Sequence, residues 1–540
     1  MKITSLAFAA AGLVTSVVAT APFASADDWN KPQEPFALSS DSYYVGTRGL
    51  SAVLIASKAG HILIDGAIPE AASQVAANVR KLGFKVEDIR IILNSHEHFD
   101  HAGGIAELQR LSGAEVKATG AAAPVLRSGK ASRGDPQYAS LFESDMAPVA
   151  NVSIVRDGET VKVGPLAVTL HATPGHTQGG STWTWVSNDG GKRLNMVYAD
   201  SLNAIGAGAF RYSGDPAYPN ARSDMERSIA KVAALPCDVL VSAHPEGSDL
   251  WKRHARRARL GNAAFVDNTA CRAYADQGRA RLAKTLAAEA KTPPIVWRDN
   301  ARITELFDKA GVTGTFVVHD VATGEYTGHD RQRANIRYVP ASTFKIPNSL
   351  IGLSTGAVAS VDEVLPYGGG PTYRPEWAKD MPLREAIRVS NVPVYKELAR
   401  RIGMPRMREG LRQLDYGNMD AGAVIDAFWL DGPLKISALE QARFLGRLAR
   451  GQLPFPKAAM AAVREIVRQE GGANLYAKTG WYIGDRRPGD RENQIGWWVG
   501  WVEKDGKVYA FALNVDVTDD VVGAKRVPLG KAALQVLGLL

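Results

Sequence analysis

The stretch Asn94-Ser95-His96-Glu97-His98-Phe99-Asp100-His101-Ala102-Gly103-Gly104 constrains this chain of 540 residues more than any other. His96, His98, Asp100 and His101 are strong ligands for a divalent metal ion and fall within six consecutive positions. His96 and His98 stand two apart, so on an extended segment or tight loop both imidazoles point the same way and reach one ion. Asp100 and His101 point elsewhere, which suits a second ion close by. Glu97 and Phe99 are spacers. Ile91-Ile92-Leu93 reads as a short buried strand, and Gly103-Gly104 lets the backbone turn tightly before a helix. A loop at the carboxyl end of a strand is where sheets of this kind hold ligands.

A polar loop with capping histidines would also explain these residues, but it leaves two further histidine motifs downstream without a reason. His176 sits in Pro174-Gly175-His176-Thr177, and His244 in Ser242-Ala243-His244-Pro245. His61, His171 and His254 lack such settings and read as ordinary polar residues. From Ser51 to Asp65 short apolar runs alternate with turn signals, the pattern of a β-meander. Ala71 to Leu82 has helical periodicity and ends at Gly83. Val152–Val155, Val161–Val163 and Ala167–His171 read as further strands.

The order His-x-His-x-Asp-His, then Pro-Gly-His-Thr, then Ala-His-Pro resembles the metallo-β-lactamase superfamily. Tyr198-Ala199-Asp200-Ser201-Leu202 and Leu235-Pro236-Cys237-Asp238-Val239-Leu240 narrow the likeness to the third subclass of the zinc β-lactamases. It covers about Trp29 to Lys291. It implies an α/β fold, a four-layer αββα sandwich, and two zinc ions. His96, His98 and His176 would hold the first ion, and Asp100, His101 and His244 the second, leaving a position for a shared hydroxide that attacks a lactam carbonyl. Asp100 would also orient that nucleophile. Ser201 and Asn203 match positions that contact the substrate carboxylate, though Asn stands where Ser is usual. Asp200 is a complication, because an Asp near here bridges two metals elsewhere in the superfamily.

The second half of the chain centres on Ala341-Ser342-Thr343-Phe344-Lys345. Ser and Lys three apart on a helix share one face. A serine hydroxyl needs a base to become a nucleophile, and a partly buried lysine loses affinity for its proton and can serve. Ser390-Asn391-Val392, Tyr416-Gly417-Asn418 and Lys478-Thr479-Gly480 follow, with Phe428-Trp429-Leu430 and Gly496-Trp497-Trp498-Val499-Gly500-Trp501. Together they resemble the penicillin-recognising serine enzymes, in the form of the class D, oxacillinase-type β-lactamases.

That resemblance implies an α+β fold of the serine β-lactamase and penicillin-binding type, with an antiparallel sheet and a helical insert between Ser342 and Gly451. Thr313–Asp320 and Val508–Asp516 would lie side by side in the sheet. It also implies that carbon dioxide carboxylates Lys345 to a carbamate, with Trp429 donating to it. The carbamate would act as general base, first for Ser342 and then for the deacylating water. Backbone N–H groups of Ser342 and Trp481 would form the oxyanion hole, and Ser390 would relay a proton to the leaving nitrogen. Lys478, Thr479, Gly480, Trp481 and Arg526 would bind substrate. The tryptophans at 497, 498 and 501 read as core, and Tyr416-Gly417-Asn418 reads as a turn.

The domains expected are thus a signal peptide over 1–26, a metallo-β-lactamase domain over 29–291, a linker at 292–294 around Pro293-Pro294, and a class D domain over 295–540. Lys2, the apolar run Leu6 to Val18 and Ala24-Ser25-Ala26 make the signal segment. The run is too short to span a bilayer. The mature chain is therefore expected to be periplasmic or secreted, with no membrane partner after cleavage. In an exported chain the even pair Cys237 and Cys271 suggests a disulfide, with two buried free thiols as the alternative. Its loop would contribute about 3–4 kcal/mol in the chain-entropy model. The net charge of +8 is scattered. Its densest patch, Lys252 to Arg257, lacks interleaved aromatics and reads as a solvated helix face, so no nucleic-acid partner is expected and small-molecule β-lactams are. The expected function is a bifunctional β-lactamase. The alternative is a zinc hydrolase of a lactone or thioester fused to a β-lactam-binding sensor that does not turn over.

Overall fold

The computed structural model describes residues 29–142, 144–470, 474–483 and 494–540. The expected signal segment lies outside the described residues. The chain divides into two compact units. The first takes the residues up to Pro136, Ser144–Ile205 and Tyr212–Leu286; the second takes Ala287–Leu540 with Gly206–Arg211 and a short segment that starts at Gln137.

In the first unit, alternating apolar residues create the layers. Strands β1 (Phe36–Ala37), β2 (Ser42–Tyr44), β3 (Val53–Ser57), β4 (Gly60–Ile64), β5 (Ile89–Leu93), β6 (Glu115–Ala118) and β7 (Val152–Ile154) form one sheet in sequence order, antiparallel up to β4 and parallel from β4 to β7. Successive side chains on a strand face opposite ways. Val53, Ile55, Ile62, Ile64, Ile91 and Leu93 therefore enter one core, with Val168, Leu170, Trp183, Trp185, Met196 and Tyr198 opposite. Leu54, Leu63 and Ile92 face the other way, onto Val75, Val79, Ile105 and Leu108 of the helices Ala72–Lys81 and Ile105–Ser112. Truncating a residue so placed, such as Ile92→Ala, would cost about 2–5 kcal/mol.

The opposing sheet holds β8 (Thr160–Val163), β9 (Leu166–Ala172), β10 (Ser181–Asp189), β11 (Lys192–Ala199) and β12 (Val239–Ser242), ordered β12-β11-β10-β9-β8. Helices Ala221–Ala234 and Ala270–Glu289 bury Met225, Ile229, Val232, Tyr274 and Leu282, and the Tyr274 hydroxyl donates to the Asp200 carbonyl at 2.8 Å. The result is an αββα sandwich. Cys237, just ahead of β12, is bonded to Cys271 in the last of these helices. The basic patch departs from expectation: Arg253 is 2% exposed and donates to the carbonyls of Leu240, Ser248 and Phe265. One face of the short helix Leu250–His254 packs inward, so Arg253 is a buried strut rather than a solvated cation.

The second unit has a sheet ordered β13-β15-β14-β22-β21-β20, from β13 (Trp297–Asp299), β14 (Gly314–Asp320), β15 (Tyr326–His329), β20 (Leu475–Tyr482), β21 (Ile495–Lys504) and β22 (Lys507–Asp516). The intervening β16 (Arg337–Tyr338) pairs with β19 (Ile436–Ser437), and β17 (Val364–Leu365) with β18 (Met381–Pro382). Strands β14 and β22 lie side by side and antiparallel, Gly314 opposite Val515. On β21, Trp497, Val499 and Trp501 enter the core under the helical insert. Trp498 and Val502 enter the opposite core with Phe511 and Leu513, beneath helices Ala301–Ala310 and Asp520–Val536. Among the described residues no helix is long and apolar enough to cross a membrane.

Two candidate active sites

In the first unit, β5 ends at Leu93 and the chain crosses a loop into the short helix Phe99–Ala102. The loop is fastened to the second sheet: the Ser181 amide donates to Ser95 O at 2.6 Å and the Trp183 indole to Asn94 O at 3.0 Å. Asp65 fastens it to the first sheet, accepting from the Ser95 amide at 2.7 Å, the Ser95 hydroxyl at 2.6 Å and the Tyr198 hydroxyl at 2.8 Å. On this support His96, His98 and His176 form a near-equilateral triangle, each pair of ring centroids 4.9 Å apart.

The turn into the helix carries Asp100 and His101 around to face His244. Their ligand atoms converge: His101 Nε2 lies 3.2 Å from Asp100 Oδ2 and 3.2 Å from His244 Nε2, and His244 Nε2 lies 3.4 Å from Asp100 Oδ2. Donors about 2.0–2.1 Å from a tetrahedral zinc stand about 3.3–3.4 Å apart. The observed triangle has that size, and two imidazoles with one carboxylate are a donor set zinc accepts. In the first triangle His96 Nε2 is buried and has no hydrogen-bond partner, an orphan that a metal ion would satisfy. The residues present fit two ions.

The outer nitrogens of the first triangle are held as well. His176 Nδ1 donates to Asn203 O at 2.7 Å, His98 Nε2 meets Asp135 Oδ2 at 2.9 Å, and His96 Nδ1 meets the Ser95 hydroxyl at 3.3 Å, with Asp200 Oδ1 2.9 Å away but not hydrogen-bonded to it. Asn203 thus contributes its backbone carbonyl behind a histidine, while the sequence singles it out for its side chain. Ser201 is buried beside Asp200. Without metal, burial pushes the pKa of His96 well down and that of His176 to about 3, with neighbouring imidazoles adding to both. Burial also opposes charge on His98, but Asp135, joined by Asp100 and Glu97, outweighs it and raises its pKa to about 9. Burial would raise the Asp100 carboxyl; His101 and His244 outweigh it and keep it well below the usual range.

Glu97, a spacer in the sequence, is 4% exposed and accepts from the Thr177 hydroxyl at 2.8 Å and the Gly179 amide at 3.1 Å. It ties the two histidine loops together. A Cβ on Gly179 would fall 2.4 Å from Glu97 Oε2, and one on Gly180 2.3 Å from Asp200 Oδ2. The glycine pair makes room for two buried carboxylates. Sequence reasoning missed Asp135 and the work of Glu97, because each bond joins segments remote in the chain.

In the second unit Ser342 lies in a 3-10 turn, Ala341–Phe344, and Lys345 is the first residue of the helix Lys345–Ser354. The sequence puts both on one helix; the tighter turn still aligns positions three apart. Lys345 Nζ donates to Ser342 Oγ at 2.8 Å. Lys345 is fully buried, and burial, with Lys478 adding to it, holds its pKa well below that of an ordinary lysine. The Tyr395 ring centre is 5.3 Å from Nζ, and Phe344, the residue before Lys345, stacks on Trp429 at 5.4 Å. The Trp429 indole N–H is buried with no acceptor. An amine whose charge burial disfavours, an apolar wall and an unsatisfied donor fit a carbamate on Lys345.

Strand β20 brings Lys478 alongside. Its Nζ donates to Ser390 Oγ at 3.0 Å. Ser390 sits at φ +58°, a left-handed conformation that residues other than glycine rarely adopt. Asn391 next to it caps the helix Val392–Ile402 by accepting from the Val394 amide at 3.0 Å. A Cβ on Gly480 would meet Pro340 O at 3.0 Å and the Thr343 amide at 3.2 Å, so the strand runs close against the Ser342 turn. Burial, then Arg526 and Arg374, lower the pKa of Lys478 to about 7. The Arg526 guanidinium lies 5.1 Å from the Trp481 ring centre. Arg374, after a glycine-rich loop, carries no signal in the sequence. Tyr416 is fully buried and Gly417 has φ +57°, a core residue and a turn.

The second unit matches the family model "Penicillin binding protein transpeptidase domain" over residues 314–535, and the first matches "Metallo-beta-lactamase superfamily" over residues 45–189. Beta-lactamase OXA-5 of Pseudomonas aeruginosa is 40% identical over 243 residues, 44% of this chain and 86% of that protein. Probable beta-lactamase YbxI of Bacillus subtilis is 40% identical over 205 residues, 38% of this chain and 74% of that protein. Among solved structures, MEM-A1, a subclass B3 metallo-beta-lactamase from a soil metagenome library, is 64% identical, covers 49% of this chain and 99% of its own, and has a TM-score of 0.48. FUS-1 (OXA-85), a class D beta-lactamase from Fusobacterium nucleatum subsp. polymorphum, is 41% identical, covers 45% and 100%, and has a TM-score of 0.43. On the family matches and the sequence identities, the chain belongs to the β-lactamases, as a fusion of a metallo-β-lactamase of subclass B3 with a class D serine β-lactamase.

Proposed function

We propose that the protein hydrolyses β-lactam antibiotics at two sites by unrelated mechanisms, after export to the periplasm or medium, with the catalytic domains over 29–291 and 295–540. The observation that carries this reading is the pairing of two convergent donor triangles in one unit with a Ser342–Lys345 contact of 2.8 Å in the other.

In the first site His96, His98 and His176 would hold one zinc ion and Asp100, His101 and His244 the other. Bound zinc supplies Lewis-acid polarisation of the lactam carbonyl and a water acidic enough to attack at neutral pH. The charged Asp100 carboxylate accepts a hydrogen bond from the attacking water and aligns it. Ser201 and Asn203 receive the substrate carboxylate. Asp200 lies on the Nδ1 side of His96, away from the bare Nε2, and its Ala199-Asp200-Ser201-Leu202 context favours the lactamase over the lactone alternative.

In the second site a carbamate on Lys345 would supply the general base, and the Trp429 indole N–H would donate to it. Ser342 Oγ gives up its proton toward Lys345 and attacks the carbonyl, opening the ring to an acyl-enzyme. The backbone N–H groups of Ser342 and Trp481 receive the oxyanion. Ser390 passes a proton to the leaving nitrogen, with Lys478 Nζ behind it at 3.0 Å. Lys478, Thr479 and Arg526 hold the substrate carboxylate, and Gly480 and Trp481 bind substrate beside them.

Mass spectrometry of the chelated protein, mixed with a penicillin and quenched, tests the serine half. The expected result is a transient adduct of one penicillin mass on the peptide carrying Ser342, absent from Ser342→Ala. An adduct that never decays would favour the sensor alternative.

A further inference from the structure

We propose that Asp135 is a positioning residue of the first metal triangle, fixing the tautomer and aim of His98; this rests on the metal reading of that site. His98 Nε2 stands 2.9 Å from Asp135 Oδ2, and both residues are buried, 6% and 5% exposed. An ionised carboxylate only accepts, so in the neutral ring, the form that binds a metal, His98 Nε2 carries the proton and Nδ1 has the lone pair. His176 presents the opposite arrangement: its Nδ1 donates to Asn203 O, which leaves Nε2 free for the triangle. His96, whose Nδ1 meets the Ser95 hydroxyl at 3.3 Å and whose Nε2 is bare, presents the same nitrogen as His176. His98 alone in the triangle must bind through Nδ1, and Asp135 is the group that enforces it. A carboxylate behind a ligating imidazole also strengthens the ring as a donor.

The loop carrying Asp135 is built for placement. Ser132 turns it back on itself, its hydroxyl accepting from the Gly134 amide at 3.1 Å and its carbonyl from the Asp135 amide at 3.0 Å. A Cβ on Gly134 would fall 2.8 Å from Gln178 Oε1. The loop therefore packs directly on the turn that carries His176, and Asp135 reaches His98 from there. An ion pair serving the fold alone would not need its acceptor set against one ring nitrogen of a ligand.

The test is metal binding by the full-length protein, read by competition with a chromophoric chelator and by the visible absorption of cobalt(II) in place of zinc. Wild type should take two equivalents. Asp135→Ala should weaken one equivalent roughly 10- to 100-fold, leave the other unchanged and alter the cobalt spectrum of the weakened site. Asp135→Asn keeps a neutral acceptor in the same space and should fall between the two. Should the alanine variant not fold, as judged by circular dichroism of the metal-free protein, the isosteric asparagine variant decides. Wild-type affinity and spectrum in a folded variant, or equal weakening of both equivalents, would overturn the proposal. A wild type that binds no metal would instead overturn the metal reading on which it rests.

Discussion

Burial, then Arg526 and Arg374, oppose the charge of Lys478 and lower its pKa to about 7, so it sheds its proton as pH climbs through that value. Only its charged form pairs with a substrate carboxylate. On the chelated protein, where the serine site works alone, the KM for a penicillin should rise as pH climbs from about 6 to 9 through that value. Lys478→Arg, charged throughout, should flatten the rise; a KM flat in wild type contradicts the assignment. Lys345 has the opposite requirement, since a carbamate forms only on a neutral amine, so kcat should fall as pH drops. Trp429→Phe removes the buried indole N–H proposed to donate to that carbamate. Hydrogen bonds to charged groups contribute about 1.5–3 kcal/mol, so the variant should need roughly ten- to hundredfold more bicarbonate to reach half its full serine-site activity. Unchanged bicarbonate dependence would remove Trp429 from the role.

At the scale of elements, the histidine loops were legible because their ligands are close in sequence and set by local spacing. The supports were not. Glu97 meets Thr177 across 80 positions, Asp135 meets His98 across 37, and no periodicity links them. Arg253 escapes a sequence reading because a short basic helix looks solvated, whereas its burial depends on the carbonyls of Leu240 and Phe265 waiting beneath it. The sheets were legible where short apolar runs stand between turn signals, as in β3 and β4, and where the resemblance set two strands side by side, as in β14 and β22. Gly179→Ala tests the coupling of the two loops. Its methyl would fall 2.4 Å from Glu97 Oε2 and 2.6 Å from Ala122 Cβ, so the loops must part. Chelator-sensitive activity should fall at least tenfold while chelator-insensitive activity holds; equal loss of both would point to general unfolding.

For the whole molecule, the disulfide spans 34 residues and joins the approach to β12 to the helix Ala270–Glu289. Cys237→Ala with Cys271→Ala should lower the stability of the first unit by up to about 3–4 kcal/mol. In a thermal-inactivation series, zinc-dependent activity should be lost several degrees earlier and serine-dependent activity at the same temperature as in wild type. Loss of both together would mean that the units melt as one. The central claim is that two sites, sharing a bond to break and no mechanism, both work. Hydrolysis of a chromogenic cephalosporin and of a penicillin by the purified full-length protein tests it in four arms: untreated, with a chelator, as Ser342→Ala, and as Ser342→Ala with the chelator. The account predicts activity in the first three arms and none in the fourth. Complete loss in either single arm, or hydrolysis that survives the fourth, would contradict it.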